Sequence, residues 1–288
     1  MEIIRARDMG FCFGVRRAVE MMEEAAAQMG SLTSLGSTVH NRQVVEQLRE
    51  KGVDVVTSLA EIDGRPVAIT AHGVGPQVLE TMERLGVHVV DTTCPIVTRS
   101  QQWARRLTEE GFAVIVFGDP DHKEVRGVLG WTGGKGMAVP DEEALDQLPD
   151  NLPSRVAVLS QTTHTEGRFA SFVKRLFETR MDQISELRVI NTLCNATTSQ
   201  QAAAEELARQ VDLMVVIGGR ESANTRHLAE VCREQGVETH HIEEADDIEP
   251  AWLRGHERVG VTAGASTPDS AVNEVVARLE QLAATPAS

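Results

Sequence analysis

The sequence predicts an α/β protein made of three similar βαβ-type domains. A cysteine recurs in three similar segments, each segment alternates short apolar runs with amphipathic helical stretches, and polar loops follow those runs at matching spacings. Such alternation is typical of parallel sheets, whose binding sites lie at the carboxyl ends of the strands. We therefore expect a pseudo-threefold, trilobed arrangement around a central cavity. Independent α/β domains related by an old duplication are the alternative.

Composition excludes several classes of protein. With 288 residues, 41% of them hydrophobic and 25% charged, the chain has the composition of a globular protein and not of a disordered, collagen-like or membrane protein. A net charge of −15 and a lack of tyrosine argue against a surface for nucleic acid or anionic membrane. The amino terminus lacks the apolar segment of a signal peptide, so we expect a cytoplasmic protein.

The cysteine segments define the repeat. Cys94 and Cys194 lie 100 residues apart, and each precedes a helical stretch that contains Ser-Gln-Gln. An apolar run then ends in a glycine 24 residues after each cysteine, and Cys12 follows the same rule. These glycines are Gly36, Gly118 and Gly218. The repeat predicts domains over residues 13–93, 94–192 and 193–282, the last packed with residues 1–12, and a disordered tail over 283–288.

Polar residues occupy matching loop positions in the three copies, and we expect these positions to be spatially equivalent. Four positions after the three glycines stand His40, His122 and Ser222, respectively. Six positions after them stand Arg42, Glu124 and Asn224. The loops after the third apolar run contain His72, Gln161 to Thr163, and Ser266.

Three converging cysteines point to a metal centre. Cys12, Cys94 and Cys194 stand at or just before predicted helix starts, where the helix dipole favours a thiolate. Three thiolates repel one another unless a cation holds them. Zinc with an added histidine and a [4Fe–4S] cluster with one open iron both fit the residues. Cys232 has no counterpart in the other copies, and we interpret it as a buried hydrophobic residue.

The remaining positions suggest an anion site with an acid beside it. His40, His72 and His122 can bind an anion, and Ser222, Asn224 and Ser266 add neutral donors suited to a diphosphate. Glu124 is the one carboxylate at the six-residue position, which makes it the candidate acid, and Thr162 or Thr163 can orient it. The glycine-rich segment at 130–136 lacks the Lys-Ser/Thr ending of a phosphate loop.

Several motifs together resemble one known family. They are GFCFGVRRAV, VHN, AHGV, DTTCPIVT, GDPDHKEVRG, SQTT, NTLCNATTSQQ, SANTRHLAE and VGVTAGASTPD. In this order they resemble the 4-hydroxy-3-methylbut-2-enyl diphosphate reductases, the IspH/LytB family. The resemblance runs from Ile3 to about Leu282.

This resemblance implies an oxidoreductase of isoprene biosynthesis by the non-mevalonate pathway. The reaction is a reductive removal of the allylic hydroxyl by two electrons and two protons, which gives isopentenyl and dimethylallyl diphosphates. One [4Fe–4S] cluster per chain is implied, with one iron not ligated by cysteine. The implied ligands are Cys12, Cys94 and Cys194, the implied catalytic residues are Glu124, Thr162 and His122, and the implied diphosphate-binding residues are His40, His72, His122, Thr162, Ser222, Asn224 and Ser266.

This sequence departs from the family pattern at two positions. Ala223 stands where many members have serine, and Glu221 where asparagine is common, which affects substrate affinity more than reaction type. A ferredoxin or flavodoxin is implied as electron donor, with no nucleic-acid or membrane partner, and the protein is a monomer or homodimer. A cluster-dependent dehydratase and a noncatalytic iron–sulfur or zinc redox sensor are the competing functions.

Overall fold

The computed structural model describes residues 1–284, which alternate between strands and helices. The strands are β1 (Glu2–Arg5), β2 (Leu32–Leu35), β3 (Val53–Val56), β4 (Val67–Ile69), β5 (Val89–Asp91), β6 (Ala113–Phe117), β7 (Met137–Val139), β8 (Arg155–Ser160), β9 (Glu186–Val189), β10 (Leu213–Ile217), β11 (Glu238–Ile242) and β12 (Arg258–Ala263). The helices are α1 (Phe13–Met29), α2 (Arg42–Glu50), α3 (Pro76–Leu85), α4 (Pro95–Glu109), α5 (Lys123–Gly130), α6 (Glu166–Arg180), α7 (Asn195–Ala208), α8 (Ala223–Glu234) and α9 (Asp269–Ala284).

The strands form three four-stranded sheets of one topology. Their orders are β1-β12-β10-β11, β5-β4-β2-β3 and β9-β8-β6-β7. Neighbouring strands pair in parallel in all three sheets. The predicted α/β class with three similar parallel sheets is therefore confirmed. In each sheet the chain passes from one central strand to an edge before it returns, so the carboxyl ends of the two central strands border a crevice.

The chain forms two compact units. Among the described residues, the first comprises 1–16, 39–50 and 195–284, and it contains the sheet of β1, β12, β10 and β11. The second comprises residues 17–38 and 51–194 and contains the other two sheets. The predicted division at 13–93, 94–192 and 193–282 stays a prediction. Residues 283 and 284 are helical and not part of a tail, and residues 285–288 of the predicted tail lie outside the described residues.

Continuous apolar strands make the cores. β10 reads LMVVI and is buried along its whole length, as a parallel strand covered by helices on both faces must be. One face of its sheet packs Val215 and Ile217 against α9, and the other packs Val216 against α7 and α8. β6 reads AVIVF and is buried in the same way in the second unit. No helix among residues 1–284 is long and apolar enough to span a bilayer.

Glycine contacts set the position of α5 in the second unit. A Cβ on Gly130 would lie 2.8 Å from the Cα of Gly75, and a Cβ on Gly127 would lie 3.3 Å from the Gly73 carbonyl oxygen. The side-chain-free face of α5 therefore packs directly on the backbone of the loop that follows β4. This loop contains His72, so the packing of α5 fixes a candidate site residue.

Candidate functional site

Each predicted ligand cysteine is fixed to its sheet by the same backbone hydrogen bond. In every sheet the cysteine follows an edge strand, and its N–H donates to a carbonyl in the loop after the neighbouring central strand. The pairs are Cys12 to Ala265 at 3.1 Å, Cys94 to Ala71 at 3.0 Å and Cys194 to Thr162 at 2.9 Å. The residues that follow these carbonyls are Ser266, His72 and Thr163. Within each sheet, the cysteine therefore lies beside the polar loop that the repeat predicted.

Helix starts supply hydrogen-bond donors to the cysteine sulfurs. Cys94 is the N-cap of α4, and the backbone N–H groups of Ile96 and Val97 donate to its sulfur. Cys12 Sγ likewise accepts the N–H of Val15 at 3.5 Å in the first turn of α1. Hydrogen bonds of this kind stabilise thiolates and tune cysteine-ligated clusters.

The electrostatics of the second unit favour a cation at Cys94. Burial raises the pKa of the Cys94 thiol, the two backbone hydrogen bonds lower it, and the charges of Cys194 and Glu124 raise it further. The pKa of the Cys94 thiol is raised on balance, so a positive charge beside the sulfur would favour its thiolate. A metal ion or cluster supplies that charge and stabilises the thiolates. The donor set fits a cysteine-ligated metal group.

Cys232 differs from the other cysteines in burial and in its position inside a helix. It is fully buried on α8 among Leu228, Ala229 and neighbouring apolar residues of the first unit. Burial raises the pKa of the Cys232 thiol to about 12, so it stays protonated at neutral pH. The residue packs as a small hydrophobic side chain, as the sequence indicated.

Glu124 is a buried carboxyl group held by a single residue. It stands in the first turn of α5, with 3% of its surface exposed. Thr162 N–H donates to Oε1 and Thr162 Oγ donates to Oε2, both at 2.7 Å. The carbonyl of the same threonine accepts the N–H of Cys194. Burial raises the pKa of the Glu124 carboxyl, although both hydrogen bonds from Thr162 lower it. The site thus holds an acid that keeps its proton to a higher pH than an exposed glutamate.

Two histidine rings lie together in the second unit. The centroids of His72 and His122 are 5.6 Å apart in a T-shaped arrangement. His122 is the N-cap of α5, and its Nδ1 accepts the Glu124 N–H at 3.2 Å. Because Nδ1 is the acceptor, the neutral ring carries its proton on Nε2. His72 Nδ1 lies 3.3 Å from Thr70 Oγ, which orients the second ring. The pair can donate hydrogen bonds to an anion without a full positive charge.

The predicted neutral donors lie at two adjacent strand ends of the first unit. Ser222 and Asn224 follow β10, and Ser266 follows β12, its partner in the sheet. All three side chains are buried, and Ser222 caps α8 by accepting the Thr225 N–H. Asn224 Oδ1 and Ser266 Oγ are buried without a hydrogen-bond partner among the described residues. Buried polar atoms of this kind are expected where a ligand completes the hydrogen bonding.

Gln200 joins this group, although the sequence did not single it out as a site residue. Its Nε2 donates to the Gly10 carbonyl at 2.7 Å, and its Oε1 accepts from Asn224 Nδ2 at 3.5 Å. The amide therefore links the segment before Cys12 to a predicted substrate-binding residue. The Ser-Gln-Gln sequence that recurs in two copies was the signal that could have found it.

His40 is placed by a close backbone contact in the first unit. A Cβ on Gly219 would lie 2.0 Å from the His40 carbonyl oxygen, so only glycine fits at this position. The loop of His40 therefore packs against the loop that follows β10, at a glycine two residues after the end of that strand. Of the two departures noted above, Ala223 is buried and Glu221 is exposed.

Comparisons with known proteins identify the family of this chain. The family model described as LytB protein matches residues 3–280. A 4-hydroxy-3-methylbut-2-enyl diphosphate reductase of Dehalococcoides mccartyi (strain CBDB1) is 46% identical over 284 residues, 99% of either chain. One of the same name from Geobacter metallireducens is 43% identical over 282 residues, 98% of either chain.

Solved structures extend the likeness to the fold. The E-1-hydroxy-2-methyl-but-2-enyl-4-diphosphate reductase of Plasmodium falciparum is 25% identical, with a TM-score of 0.89 over 99% of this chain and 88% of that one. A second structure, of (E)-4-hydroxy-3-methyl-but-2-enyl diphosphate reductase, the terminal enzyme of the non-mevalonate pathway, is 38% identical. Its TM-score is 0.69, over 98% of this chain and 100% of that one. The chain belongs to the LytB protein family, whose members are iron–sulfur 4-hydroxy-3-methylbut-2-enyl diphosphate reductases.

Proposed function

We propose that this protein reductively removes the allylic hydroxyl of 4-hydroxy-3-methylbut-2-enyl diphosphate. Two electrons and two protons break the carbon–oxygen bond, the oxygen leaves as water, and the allyl fragment gains one hydrogen to give isopentenyl or dimethylallyl diphosphate. The observation that carries the proposal is the buried Glu124 carboxyl, with both oxygens on Thr162, which also anchors the Cys194 amide. A proton donor is thus fixed beside a predicted metal ligand.

Cys12, Cys94 and Cys194 would hold one [4Fe–4S] cluster per chain, with one iron not ligated by cysteine. The hydrogen bonds to the sulfurs of Cys12 and Cys94, and the like charges around Cys94, support this assignment. When bound, such a cluster supplies electrons one at a time and offers a Lewis-acidic iron to the substrate oxygen.

Glu124 provides the proton for the leaving oxygen. Its raised pKa favours the protonated form relative to an exposed glutamate, and Thr162 fixes the direction of both carboxyl oxygens. After the proton leaves, the two hydrogen bonds from Thr162 stabilise the carboxylate that remains. His122 caps α5 by accepting the Glu124 N–H, which holds its ring at the start of the same helix, and we propose that it contributes to proton delivery.

The diphosphate is bound by neutral donors. They are His40, His72, His122, Ser222, Asn224 and Ser266, and Thr162 lies beside them as a further substrate contact. The buried oxygens of Asn224 and Ser266 without protein partners support this role, as does the Nε2 proton of His122. Binding energy gained at the diphosphate, away from the reacting carbon, positions the hydroxyl for cleavage. The electrons come from a ferredoxin or flavodoxin.

Anaerobic purification followed by iron, sulfide and visible-absorption analysis tests the cofactor. We expect the serine variants of Cys12, Cys94 and Cys194 to lose iron, whereas Cys232→Ser keeps it, because that thiol lies in the core. Turnover of the hydroxymethylbutenyl diphosphate with a chemical reductant then tests the reaction. Product formation without reductant would indicate a dehydratase, and a complete cluster that leaves this substrate unchanged would contradict the proposal.

A further inference from the structure

The second unit contains a cavity at the carboxyl ends of β2, β3 and β4. Its volume is about 490 Å³, within the usual range for small-molecule sites. Its walls come from these strand ends and the loops that follow them, from the start of α3 and from α5. Ligands of open parallel sheets bind at this edge. Among the described residues, the border of the cavity includes none of those proposed above to bind the substrate.

The α5 side of this cavity is cationic. Lys123 and Arg126 lie one turn apart on α5, and both border the cavity. A Cβ on Gly36 would lie 3.1 Å from Lys123 Nζ, so the ammonium group lies at the end of β2. α3 begins at the same cavity, and its N-cap, Gly75, has no side chain to satisfy the first N–H groups. Two cations beside a helix start suit a phosphate group.

Carboxylates do not offset this charge. None borders the cavity in the part of the chain that the structure describes, and those nearest in sequence are Glu61, Asp121 and Glu124. Glu61 Oε1 accepts four hydrogen bonds within its own turn, and Glu124 is buried against Thr162. Asp121 is exposed in the loop before α5. The lining thus carries two positive charges and no negative one, on a chain with a net charge of −15.

The apolar part of the lining is aliphatic. It consists of Leu35, Leu59, Val74 and Val78, all partly buried. No aromatic ring of residues 1–284 borders the cavity, so a nucleobase would find no ring to stack on. An aliphatic chain, in contrast, gains binding energy by covering these side chains. The lining therefore fits a phosphate or diphosphate ester of an aliphatic alcohol.

We propose that this cavity binds a prenyl diphosphate longer than the five-carbon product, with the diphosphate at Lys123 and Arg126 and the chain over Leu59 and Val78. The choice of a prenyl chain rests on the proposed function, because its two products give longer chains when they condense with loss of diphosphate. The cavity adjoins the loop of His72 through Gly73. A bound diphosphate outweighs the two cations and makes this region negative. It therefore weakens binding of the substrate diphosphate and inhibits the enzyme.

Binding is measured by calorimetric titration of the cluster-loaded enzyme with geranyl diphosphate. The enzyme is first saturated with 4-hydroxy-3-methylbut-2-enyl diphosphate, without reductant, so that the substrate site is filled and no turnover occurs. We expect geranyl diphosphate still to bind, and Arg126→Glu to weaken it by about tenfold or more. Arg175→Glu, which reverses an exposed charge on α6 of the same unit, should change the Kd by less than about twofold. If substrate abolishes binding, or if the two variants behave alike, the cavity is not the site.

The two parts of the ligand are tested separately. Inorganic diphosphate and geraniol should each bind at least about tenfold more weakly than geranyl diphosphate, because each uses half of the lining. Leu59→Ala should weaken geranyl diphosphate and leave inorganic diphosphate unchanged. Inorganic diphosphate that binds as tightly as the ester would indicate a simple anion site and contradict the aliphatic ligand.

Steady-state kinetics with dithionite test the inhibition. Geranyl diphosphate should raise the KM for the substrate to a plateau, because both ligands bind at once, whereas an inhibitor in the substrate site raises it without limit. Arg126→Gln should keep basal turnover within about twofold, since Arg126 is not in the proposed catalytic set, and should lose the inhibition. Equal inhibition of this variant would overturn the proposal. Absence of turnover in the unmodified enzyme would contradict the proposed function and not the cavity site, which the titration tests by itself.

Discussion

At the scale of single residues, Glu124 is subject to opposing influences. The start of α5 and the two hydrogen bonds from Thr162 favour the carboxylate, whereas burial favours the neutral acid. Burial is the largest of these, and the pKa of Glu124 is raised. The same two hydrogen bonds then become useful after the proton has left. Thr162 can therefore hold the Glu124 side chain in place both before and after it gives up its proton.

Replacement of the Glu124 carboxyl by an amide should lower the turnover rate without changing substrate affinity. In Glu124→Gln, Oε1 can still accept the Thr162 N–H, and the amide can donate to Thr162 Oγ. We expect turnover to fall by about 10²- to 10⁴-fold, because the proton is missing, while iron content and substrate affinity stay the same. Steady-state kinetics with a chemical reductant measure this. Asp121→Asn, in the exposed loop before α5, is the control and should keep near-normal turnover.

The raised pKa of Glu124 also predicts how stability depends on pH. A carboxyl whose folded pKa lies above its unfolded value of 4.5 stabilises the fold below pH 4.5 and loses that contribution as the pH rises through the folded pKa. Glu124→Gln should therefore have the higher melting temperature, by a margin that grows above pH 4.5 and then levels off. Thermal unfolding between pH 5 and 8 under anaerobic conditions measures the margin. A margin that shrinks as the pH rises over this range would contradict the raised pKa of Glu124.

At the scale of elements, α5 combines two tasks within eight residues. Its first turn presents Glu124 and follows the His122 cap, and its last turn packs Gly130 on Gly75. Any sideways shift of the helix would move the acid and the loop of His72 relative to each other. Gly130, the first glycine of the segment at 130–136, thus acts by close packing.

Alanine substitution tests that packing. A Cβ on Gly130 would meet the Gly75 Cα at 2.8 Å, so Gly130→Ala should destabilise the fold by about 1–3 kcal/mol. A Cβ on Gly167 of α6 meets nothing within 4 Å, so Gly167→Ala should stabilise by about 0.5–1 kcal/mol through helix propensity. Denaturant unfolding compares the two variants. Equal effects of the same sign would mean that α5 does not depend on this contact.

The loop of His40 offers a second element with a sharp test. A Cβ on Gly219 would overlap the His40 carbonyl oxygen, so Gly219→Ala must displace one of the two loops. We expect the KM for the diphosphate substrate to rise by about tenfold or more, since each 1.4 kcal/mol of lost binding is a factor of ten. Iron content should stay unchanged. An unaltered KM would remove His40 from the binding site.

Sequence patterns predicted the strands and helices better than they predicted the contacts between those elements. The spacing of 24 residues predicted that apolar runs end at Gly36, Gly118 and Gly218, and β2, β6 and β10 end directly before these glycines, because strand and helix lengths are local properties. The role of Gln200 and the contact of Gly219 with His40 join segments far apart in the chain. No local periodicity records such pairs, so the three-dimensional structure was needed to find them.

At the scale of the whole molecule, net charge opposes the substrate. The chain carries a net charge of −15, so the approach of a diphosphate is unfavourable at long range, although the proposed neutral donors would bind it at short range. We expect kcat/KM for the substrate to rise as ionic strength increases from about 10 to 150 mM, because the Debye length shortens to about 8 Å. The measurement uses a salt with a weakly binding anion and dithionite in excess. A decrease in kcat/KM would indicate a local positive field at the site.

The hydrogen bond that fixes each cysteine runs from backbone to backbone. Side-chain identity at the neighbouring loop position is therefore independent of ligand placement, and the three sheets indeed carry Ser266, His72 and Thr163 there. The backbone hydrogen bonds thus place the cysteines, and the loop side chains are free to differ between the sheets. Substitution at these loop positions should therefore leave the three predicted ligand cysteines in place, so the side-chain chemistry of the loops can change without rebuilding the backbone around them.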